Sequence, residues 1–528
     1  MGFRVLIADP LSEEGIAPLL ESDDIHLDLG TEWTNQELLE RISDYDALLV
    51  RSQTQVTRDL ITKATNLKIV GRAGVGVDNI DLDAATEHGI IVVNAPNGNT
   101  NSAAEHTMAM MMALSRKIPQ AYLSLKNRQW DRKKYIGIEL KNKTLGIIGL
   151  GRIGAEVAYR ARGQRMNIIA YDPFLSEDHA NKLGIKKGNI EDVYQHADFI
   201  TIHTPLLKET RHLLNKQAFE AMKDGVQIIN CARGGIIDEE ALYEAIQAKK
   251  VAGAALDVFE EEPFYEHQLL ELPEVIATPH LGASTIEAQE SVAIDVSEDV
   301  IRYVHGEAVR NPVNLPSIPR EALSEIEPYF LLAEKLGQFL ILLADEPVEQ
   351  INLYYSGDVA KTKIGPITRN AVKGLLTRHL GDHVNDVNAL YLAEKRGVTI
   401  HENKTSSTQG FTNLIRVEIV TKSKKRSVAG TLLNGLGPRI VKVDHYSVDV
   451  TPKGHLLVIH HQDQPGVIGK MGSLLATKHI NIATMQVDRA DIGGNAIMVM
   501  TVDRHIEKNA LEALKQLEEI HDAISIDL

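Results

Sequence analysis

Short apolar segments alternate with amphipathic, helix-like segments through the first half of the chain. The predicted strands cover residues 3–8, 47–50, 68–70 and 90–93, then 145–150, 168–171, 199–203, 226–230, 254–256 and 275–277. Strands that alternate with helices indicate parallel sheets covered by helices on both faces. The pattern therefore predicts two doubly wound α/β units, the first within roughly the first hundred residues.

The second half of the chain has a different pattern. Helices are predicted at residues 321–343 and 367–380, and strands at 348–355, 414–420 and 440–443, which together indicate an α+β unit. From residue 455 the pattern reads strand, helix, strand, strand, helix, strand, which is the βαββαβ order of ferredoxin-like domains. Residues 311–319 contain three prolines and predict a stiff linker before the α+β unit.

Three glycines follow the predicted strand at residues 145–150 with the spacing G-x-G-x-x-G. Gly149 allows a tight turn, Gly151 lets the backbone approach a pyrophosphate, and Gly154 lets the next helix pack on the strand. Asp172 ends the following strand, where a carboxylate can accept hydrogen bonds from ribose hydroxyls and repels a 2′-phosphate. The pattern favours an NAD site, and a tight turn that binds no cofactor is the alternative.

Composition and charge exclude several classes of protein. With 528 residues, of which 44% are hydrophobic, the chain predicts three or four globular domains. The net charge of −16 argues against nucleic acid or an anionic membrane as partner. Cys231 is the single cysteine, which excludes an internal disulfide and fits a reducing compartment. We expect a cytoplasmic protein, since neither a signal peptide nor a membrane-spanning run is evident.

Chemically active side chains follow several of the predicted strands. Arg51 and Arg72, the latter close to Gly74, follow strands of the first unit, and ligands of open α/β sheets bind at the carboxyl ends of strands. Arg233 and His280 follow strands of the second unit. A surface arginine beside a turn is an equal alternative for Arg51. A lone histidine after a strand is usually structural, but an arginine, a glutamate and a histidine at one edge of the same sheet indicate a site.

The segment between the two units carries two further signals. Ser102 and Glu105 have the spacing of a capping box and predict the start of a helix. Arg132 belongs to a short basic loop, which is either a solvated face or a contact with an acidic substrate.

Three segments resemble the signatures of the D-2-hydroxyacid dehydrogenases. They are ARGGIIDEEAL (232–242), GAALDVFEEEP (253–263) and TPHLGAST (278–285). Within that family the chain is most similar to the phosphoglycerate dehydrogenase branch, through GRAGVGVDNID (71–81), NAPNGNTNSAAE (94–105) and CARGG (231–235).

The resemblance implies an acid–base pair and a carboxylate anchor. His280 would exchange the proton of the substrate hydroxyl, and Glu262 would orient its ring. Arg233 would hold the substrate carboxylate with its planar guanidinium. The hydride would pass directly between C2 and the nicotinamide, so no metal ion is needed. Three glutamates precede Pro263, and the family pattern selects Glu262 as the partner of the histidine.

The resemblance also implies residues that bind NAD and the substrate phosphate. The cofactor residues are Gly149, Gly151, Arg152, Ile153, Gly154, Asp172, Thr204, Cys231, Asp257, Gly282 and Val75. The substrate residues are Arg51, Arg72, Gly74 and Arg132. Cys231 is expected to pack beside the cofactor without acting as a nucleophile.

The implied architecture is a discontinuous substrate-binding domain (1–98 and 286–312), a Rossmann-type NAD-binding domain (99–285), an α+β intervening domain (317–450) and a ferredoxin-like ACT domain (454–528). The ACT resemblance rests on HHQDQPGVIGKMGSLL (460–475) and HINIATMQVDR (479–489). It implies L-serine bound between subunits at His461, Asp463 and Asn481. A pairing surface that has lost its effector is the alternative.

The implied activity is the NAD-dependent oxidation of 3-phosphoglycerate to 3-phosphohydroxypyruvate, the first step of the phosphorylated route to L-serine, by a homo-oligomer expected to be a tetramer. One alternative is another D-2-hydroxyacid dehydrogenase, acting on glycerate or 2-hydroxyglutarate. The other is a non-enzymatic, NADH-sensing corepressor built on the same fold.

Overall fold

The computed structural model describes residues 2–263, 265–316, 320–381, 383–406 and 410–528. These residues form four β-sheets, each with its own set of helices. No helix in this described part of the chain is both long and apolar enough to cross a membrane.

The first sheet has five parallel strands in the order β2-β1-β3-β4-β5. Its elements are β1 (Phe3–Ile7), α1 (Glu13–Leu20), β2 (Ile25–Leu29), α2 (Asn35–Arg41), β3 (Ala47–Val50), α3 (Arg58–Lys63), β4 (Ile69–Arg72), α4 (Leu82–Glu87) and β5 (Ile91–Asn94). The central strand β3 is buried along its whole length, as its unbroken apolar run predicts.

The second sheet has seven parallel strands in the order β12-β11-β10-β9-β6-β7-β8. Its elements are α5 (Thr100–Arg116), α6 (Ile118–Lys126), β6 (Thr144–Ile148), α7 (Arg152–Gly163), β7 (Asn167–Tyr171), α8 (Glu177–Leu183), β8 (Lys186–Lys187), α9 (Ile190–His196), β9 (Phe199–Ile202), α10 (Lys216–Ala221), β10 (Val226–Asn230), α11 (Glu239–Gln247), β11 (Val251–Leu256), α12 (Gln268–Glu271) and β12 (Val275–Ala277). The strand order reverses between β6 and β9, and such a switch point opens a crevice for a ligand.

Helix α13 (Ile286–Val304) returns the chain from the second unit to the first. Val292, Val296 and Val300 lie one helical turn apart and are buried in the same apolar cluster as Val5 and Ile7 of β1. Helix α13 therefore packs on the first sheet although it follows the second unit in sequence. The domain bounds given above remain predictions.

The third sheet is mixed, with six strands in the order β14-β13-β15-β16-β17-β18. Its elements are α14 (Arg320–Ile326), α15 (Pro328–Ile341), β13 (Val348–Gly357), α16 (Gly365–Leu380), α17 (Ala389–Lys395), β14 (Thr399–Thr405), β15 (Asn413–Thr421), β16 (Lys425–Leu433), β17 (Gly437–Val443) and β18 (Tyr446–Val450). Strand β14 pairs with β13 in parallel, and the other neighbours are antiparallel.

The single helix predicted at residues 321–343 is wrong, because the structure has two helices, α14 and α15, in its place. The break falls immediately before Pro328, which lacks the N–H that a continuous helix would need at that position.

The fourth sheet is antiparallel, with the order β20-β21-β19-β22. Its elements are β19 (His455–Gln462), α18 (Val467–Thr477), β20 (Ile482–Arg489), β21 (Asn495–Val502), α19 (Lys508–Lys515) and β22 (Ile520–Asp527). Leu457, Met471 and Leu514 are buried between the sheet and its helices, whereas Leu456 and Val458 join the core of the third unit. The predicted ferredoxin-like domain is confirmed, and the other face of its sheet is covered by the third unit.

Glu87, the last residue of α4, connects the first unit to the third. Its carboxylate pairs with Lys395 of α17 and with Arg58 at 2.8 Å, and it accepts a hydrogen bond from the Tyr391 hydroxyl at 3.4 Å. The hydrogen bonds from Lys395 and Arg58 lower the pKa of Glu87 from 4.5 to about 2.

Replacing Glu87 by glutamine should therefore lower the Tm at neutral pH by an amount that shrinks as the pH falls. Because the folded-state pKa lies below the unfolded value, the stabilisation is complete above pH 4.5 and is lost as the pH falls towards about 2. Thermal unfolding of both proteins from pH 7 to pH 3 measures the difference. Glu209→Gln, on an exposed loop, is the control, and a difference that grows on acidification would contradict the prediction.

Candidate active site

The glycine turn after β6 has a separate physical reason for each glycine. Gly149 has a φ of 91°, and a Cβ there would lie 2.6 Å from the carbonyl oxygen of His203. A Cβ on Gly154 would lie 2.2 Å from the carbonyl oxygen of Gly149. A Cβ on Gly151 would meet nothing within 4 Å. The fold thus requires glycine at the first and third positions, whereas the second faces open space where a ligand backbone or phosphate can approach.

Asp172, directly after β7, holds the turn in place. One carboxylate oxygen accepts a hydrogen bond from the N–H of Leu150 at 2.9 Å, and the other accepts from the N–H of Phe174 at 2.8 Å. Each oxygen keeps a second lone pair. The carboxylate can therefore accept hydrogen bonds from ribose hydroxyls while it orders the turn, a second role that spacing alone does not reveal.

Two polar features around the turn fit a dinucleotide. Helix α7 begins at Arg152 and Ile153 without a side-chain cap, so its first N–H groups are free to bind phosphate. The buried Thr204 hydroxyl, beyond β9, has no hydrogen-bond partner within the described residues. With the open space at Gly151, these donors fit the pyrophosphate of NAD. The Arg152 guanidinium donates to the carbonyl of Pro96 at 3.2 Å and so reaches the first unit.

Asp257, at the end of β11, is fully buried and organises the neighbouring strand end. Its carboxylate accepts hydrogen bonds from the Thr278 hydroxyl (2.6 Å) and from the N–H groups of Leu281 (2.7 Å) and Gly282 (2.8 Å), and it contacts the His106 ring at 3.2 Å. Burial acts to raise the pKa of Asp257, but hydrogen bonds from His106 and Thr278 outweigh it, and the pKa is lowered. Asp257 is thus an anion that orders the loop carrying the histidine.

Helix α5 supplies residues that sequence reasoning missed. The predicted capping box is wrong: α5 begins at Thr100, and Ser102 lies inside it with its hydroxyl donating to the carbonyl of Gly282 at 2.8 Å. His106, one turn later, contacts Asp257. Ser102 and His106 are four residues apart, so they lie on one face of the helix, and this spacing could have indicated a polar contact with the second sheet.

His280 and Glu262 form a hydrogen-bonded pair. His280 Nδ1 lies 2.7 Å from one carboxylate oxygen of Glu262, and the other accepts from the N–H of Phe259 at 3.1 Å. Burial acts to raise the pKa of Glu262, but its contact with His280 outweighs this and the pKa is lowered. Glu260 instead accepts from the N–H of Glu239 at 3.3 Å. Of the neighbouring glutamates, the geometry pairs Glu262 with the ring and leaves Nε2 available to a substrate.

The backbone of His280 is unusual, with a φ of 55°. This left-handed conformation is uncommon for residues other than glycine and often marks functional positions. Hydrogen bonds from the next two backbone N–H groups, of Leu281 and Gly282, to Asp257 stabilise it. The ring is thereby held at the end of the sheet where the cofactor turn also lies.

Arg233 reaches from the second unit to the first. Its Nε donates to a carboxylate oxygen of Asp78 at 3.0 Å, and one terminal nitrogen donates to the carbonyl of Ala232 at 2.7 Å. A Cβ on Gly76 would lie 2.0 Å from the other terminal nitrogen, so this glycine makes room for the guanidinium. The arginine therefore lies where both units can enclose a ligand.

Arg72, at the end of β4, adds a second guanidinium. A Cβ on Gly74 would lie 1.6 Å from one terminal nitrogen of Arg72, and Arg72 Nε has no hydrogen-bond partner among the residues described. Burial, with the nearby charges of Arg233 and Arg51, lowers the pKa of Arg72 to about 10. Arg72 and Arg51 of the first sheet and Arg233 of the second are close enough for their charges to repel, which indicates a site for an anion carrying more than one charge.

Polar side chains, of which Asp9 is buried, fix the loops that carry this cluster. Asp9 accepts a hydrogen bond from the backbone N–H of Arg51 at 2.6 Å, and Asn79 donates to its carbonyl at 2.8 Å. Asn94 donates to the carbonyl of Val75 at 2.6 Å. The backbone of Arg51 is therefore held at the end of β3, and that of Val75 is held in the loop after β4.

Two predicted site residues lie apart from the residues predicted to act with them: Arg132 from the other substrate arginines, and Asn481 from Asp463. Arg132 is exposed after α6, and within the described residues no hydrogen bond or ion pair joins it to the arginine cluster. Asp463, after β19, pairs with Arg489 at 2.8 Å, and His461 is buried beside it. Asn481 precedes β20 at the opposite end of the sheet, because Ile482 aligns with Val502 whereas His461 aligns with Ala496.

Cys231 lies directly after β10 and is a thiol at physiological pH. Burial, followed by the negative charge of Asp257, raises its pKa to about 12. A thiolate is the nucleophilic form of cysteine, so this residue has a packing role in the site.

Comparisons with known proteins agree with this arrangement. Residues 108–282 match the family described as D-isomer specific 2-hydroxyacid dehydrogenase, NAD binding domain. Residues 325–444 match the D-3-phosphoglycerate dehydrogenase intervening domain, and residues 455–519 match the ACT domain. D-3-phosphoglycerate dehydrogenase of Bacillus subtilis is 48% identical over 100% of this chain and 99% of the relative. The chain belongs to the D-3-phosphoglycerate dehydrogenase family.

A second relative and a solved structure agree with this assignment. The enzyme of Methanocaldococcus jannaschii is 46% identical over 99% of this chain and 100% of the relative. D-lactate dehydrogenase of Aquifex aeolicus, solved with NAD and lactic acid, is 28% identical with a TM-score of 0.53, covering 60% of this chain and 100% of that one. The chain is an NAD-dependent dehydrogenase, and the predicted fold class, of two doubly wound domains, an intervening domain and an ACT domain, is confirmed.

Replacing Gly151 by valine should weaken NADH binding by at least about tenfold without lowering the Tm by more than a few degrees. A Cβ at this position meets no protein atom within 4 Å, so we expect the cost to fall mainly on the ligand that uses the space. Fluorescence titration with NADH and thermal unfolding measure the two effects. Gly163→Val, at the other end of α7 and equally open, is the control. An unchanged NADH affinity would show that the turn does not hold the cofactor.

Proposed function

We propose that the protein oxidises 3-phosphoglycerate to 3-phosphohydroxypyruvate, with NAD as the hydride acceptor. The substrate assignment rests on the cluster of Arg233, Arg72 and Arg51, in which Arg233 follows a strand of the same sheet as the His280–Glu262 pair. 3-Phosphoglycerate has two anionic groups. Arg233 follows a strand of the sheet that also carries the acid–base pair, whereas Arg72 and Arg51 follow strands of the first sheet, so each sheet offers a place for one anionic group. Glycerate lacks the second anionic group that would face Arg72 and Arg51, which argues for the phosphorylated substrate.

Each residue has a role that follows from its place. Arg233, on the side of the cofactor unit, holds the carboxylate and so orients the hydroxyl-bearing carbon. His280 accepts the hydroxyl proton at Nε2, since Nδ1 is engaged by Glu262. Glu262 fixes the ring orientation and stabilises the imidazolium once the proton has arrived. Bound NAD supplies the hydride acceptor, held by the glycine turn, Asp172 and the Thr204 hydroxyl.

The direct test is reduction of NAD by the purified full-length chain, monitored by absorbance. We expect turnover with 3-phosphoglycerate and a kcat/KM at least tenfold lower with glycerate or 2-hydroxyglutarate. Faster turnover of an unphosphorylated acid would overturn the substrate. NADH binding without turnover of any of the three would indicate the corepressor instead.

We also propose that L-serine binds the ACT domain between two subunits. Asn481 and Asp463 lie at opposite ends of one sheet, so a single chain cannot enclose a ligand with both. Strand β20 is an edge strand, and Met485 and Val487 on it are 37% and 42% exposed. Antiparallel pairing of β20 with its copy would bring Asn481 of the partner subunit towards Asp463. This symmetric contact supports at least a dimer.

Replacing Asp463 by alanine should abolish inhibition by L-serine. The carboxylate accepts from Arg489 and, at 3.1 Å, from the N–H of Gly493, so it sits where an amino group can also bind. Serine titrations of NAD reduction compare the variant with wild type and with Glu512→Ala on α19, each against its own rate without serine. Inhibition that survives in the Asp463 variant would contradict the assignment.

The homotetramer and the cytoplasmic location are proposals of the same kind. A tetramer requires a second contact besides β20, and light scattering of the full-length chain tests it.

The cytoplasmic location is supported by the single cysteine, which leaves the chain without an internal disulfide, as is usual in a reducing compartment.

A further inference from the structure

A cavity of about 600 Å³ lies between the first and third units, away from the active site. Its walls come from β1, the end of α13, the following linker, α15 and α16, and they are mostly apolar. The apolar residues include Phe3, Tyr303, Val309, Leu315, Phe330 and Pro366. The rings of Phe3 and Tyr303 are tilted with centroids 6.0 Å apart, so the wall offers aromatic edges and faces. This volume is typical of small-molecule sites.

Four charged residues also line the cavity, and three of them already have an ion-pair partner. These pairs are Lys68 with Asp46 (2.9 Å), Glu307 with Arg302 (3.1 Å) and Asp386 with Lys373 (3.5 Å). The local charges therefore cancel in pairs, with one exception.

The exception is Arg369 of α16. Its guanidinium donates one hydrogen bond, to the backbone carbonyl of Asp386 at 3.3 Å, and no ion pair joins it to a carboxylate of the described chain. Burial lowers the pKa of Arg369, although the charges of Asp386, Glu394 and Glu402 act in the opposite direction. A guanidinium has five N–H donors, so most of them stay available on this wall.

We propose that this cavity binds a small aromatic carboxylate, with its ring against the apolar wall and its carboxylate on Arg369. A planar guanidinium pairs a carboxylate through two parallel hydrogen bonds, and the apolar walls strengthen that interaction by excluding water. A cationic ligand would place its charge against Arg369, and a neutral one would leave the guanidinium without an ion-pair partner. The guanidinium on this wall, which forms no ion pair with the described residues, therefore favours a ligand with one carboxylate over a cationic or a neutral ligand.

The test uses the full-length chain and isothermal titration calorimetry with 3-phenylpropionate. We expect binding to wild type, and affinity about 10- to 100-fold weaker for Arg369→Met, the range for loss of a charge-assisted pair. Arg378→Met, exposed near the end of the same helix, should bind within twofold of wild type. The neutral 3-phenylpropionamide should bind wild type as weakly as 3-phenylpropionate binds the Arg369 variant.

A second variant separates the cavity from the charge. Ala308 lines the space, and Ala308→Trp should fill it and remove binding of the carboxylate with Arg369 intact. The proposal is overturned if wild type shows no binding of 3-phenylpropionate at millimolar concentration. It is also overturned if Arg369→Met binds as wild type does, if the amide binds as tightly as the acid, if Ala308→Trp retains binding, or if Arg378→Met weakens binding equally.

Discussion

Replacing His280 by asparagine is expected to lower kcat by about 10²- to 10⁴-fold, the range that a general acid–base contributes. Asparagine tolerates the left-handed backbone observed at this position, so the variant removes the proton carrier without adding backbone strain. The carboxylate of Glu262 then loses its imidazole partner, while the glycine turn is unchanged. Steady-state NAD reduction and an NADH titration measure the two consequences.

The control for this variant is His479→Asn in the ACT domain. His479 has a φ of 57°, so the same substitution is made in the same backbone conformation far from the cofactor turn. We expect wild-type kcat for the control and near wild-type NADH affinity for both proteins. A His280 variant that keeps its kcat, or loses NADH binding in proportion to activity, would show that the histidine serves the cofactor and not the proton.

Replacing Arg233 by lysine is expected to reduce kcat/KM by at least about 100-fold, although the charge is kept. Lysine is a point charge without the planar fork that holds a carboxylate in one orientation, so the reacting carbon would be misplaced. The variant also loses the Nε hydrogen bond to Asp78 across the two units. Separate determination of kcat and KM distinguishes lost orientation from lost affinity.

Arg396→Lys, at the end of α17 and away from the arginine cluster, is the control for the Arg233 variant. We expect its kcat/KM to stay within twofold of wild type. If Arg233→Lys changed kcat/KM by less than about threefold, the guanidinium would act only through its charge, and Arg72 would be the better candidate for the carboxylate anchor.

Local rules predicted the cofactor turn well. The strand, the three glycines, the helix and Asp172 are contiguous in sequence, so backbone dihedral preferences and steric room determine their arrangement. The structure adds that Gly149 and Gly154 are required by contacts within the fold, whereas Gly151 is required by space. The sequence shows the three glycines, but it does not show which backbone atoms a side chain at each position would meet.

Helix boundaries were less predictable where two signals competed. Ser102 has the spacing of a cap, yet it lies inside α5 and bonds to Gly282, because that contact depends on how the helix packs on a loop 180 residues away in sequence. The helix predicted at residues 321–343 is interrupted before Pro328. The apolar periodicity continues through this proline, so a prediction from periodicity alone missed the break. Helix boundaries therefore depended on a tertiary contact at Ser102 and on one proline, Pro328, and helix propensity alone did not predict them.

By itself the sequence determined the period of the strands and helices, the glycine turn, and which strand ends carry Arg233, Glu262 and His280. These features depend on dihedral angles and on the rule that parallel strands end at one edge. Three relations are visible only in the folded chain: Arg72 lies near Arg233, His106 contacts Asp257, and Asn481 lies far from Asp463. The first relation depends on how the two units pack together, the second on how α5 packs on its own sheet, and the third on strand register within one sheet. All three join residues that are distant in sequence, so local patterns do not show them.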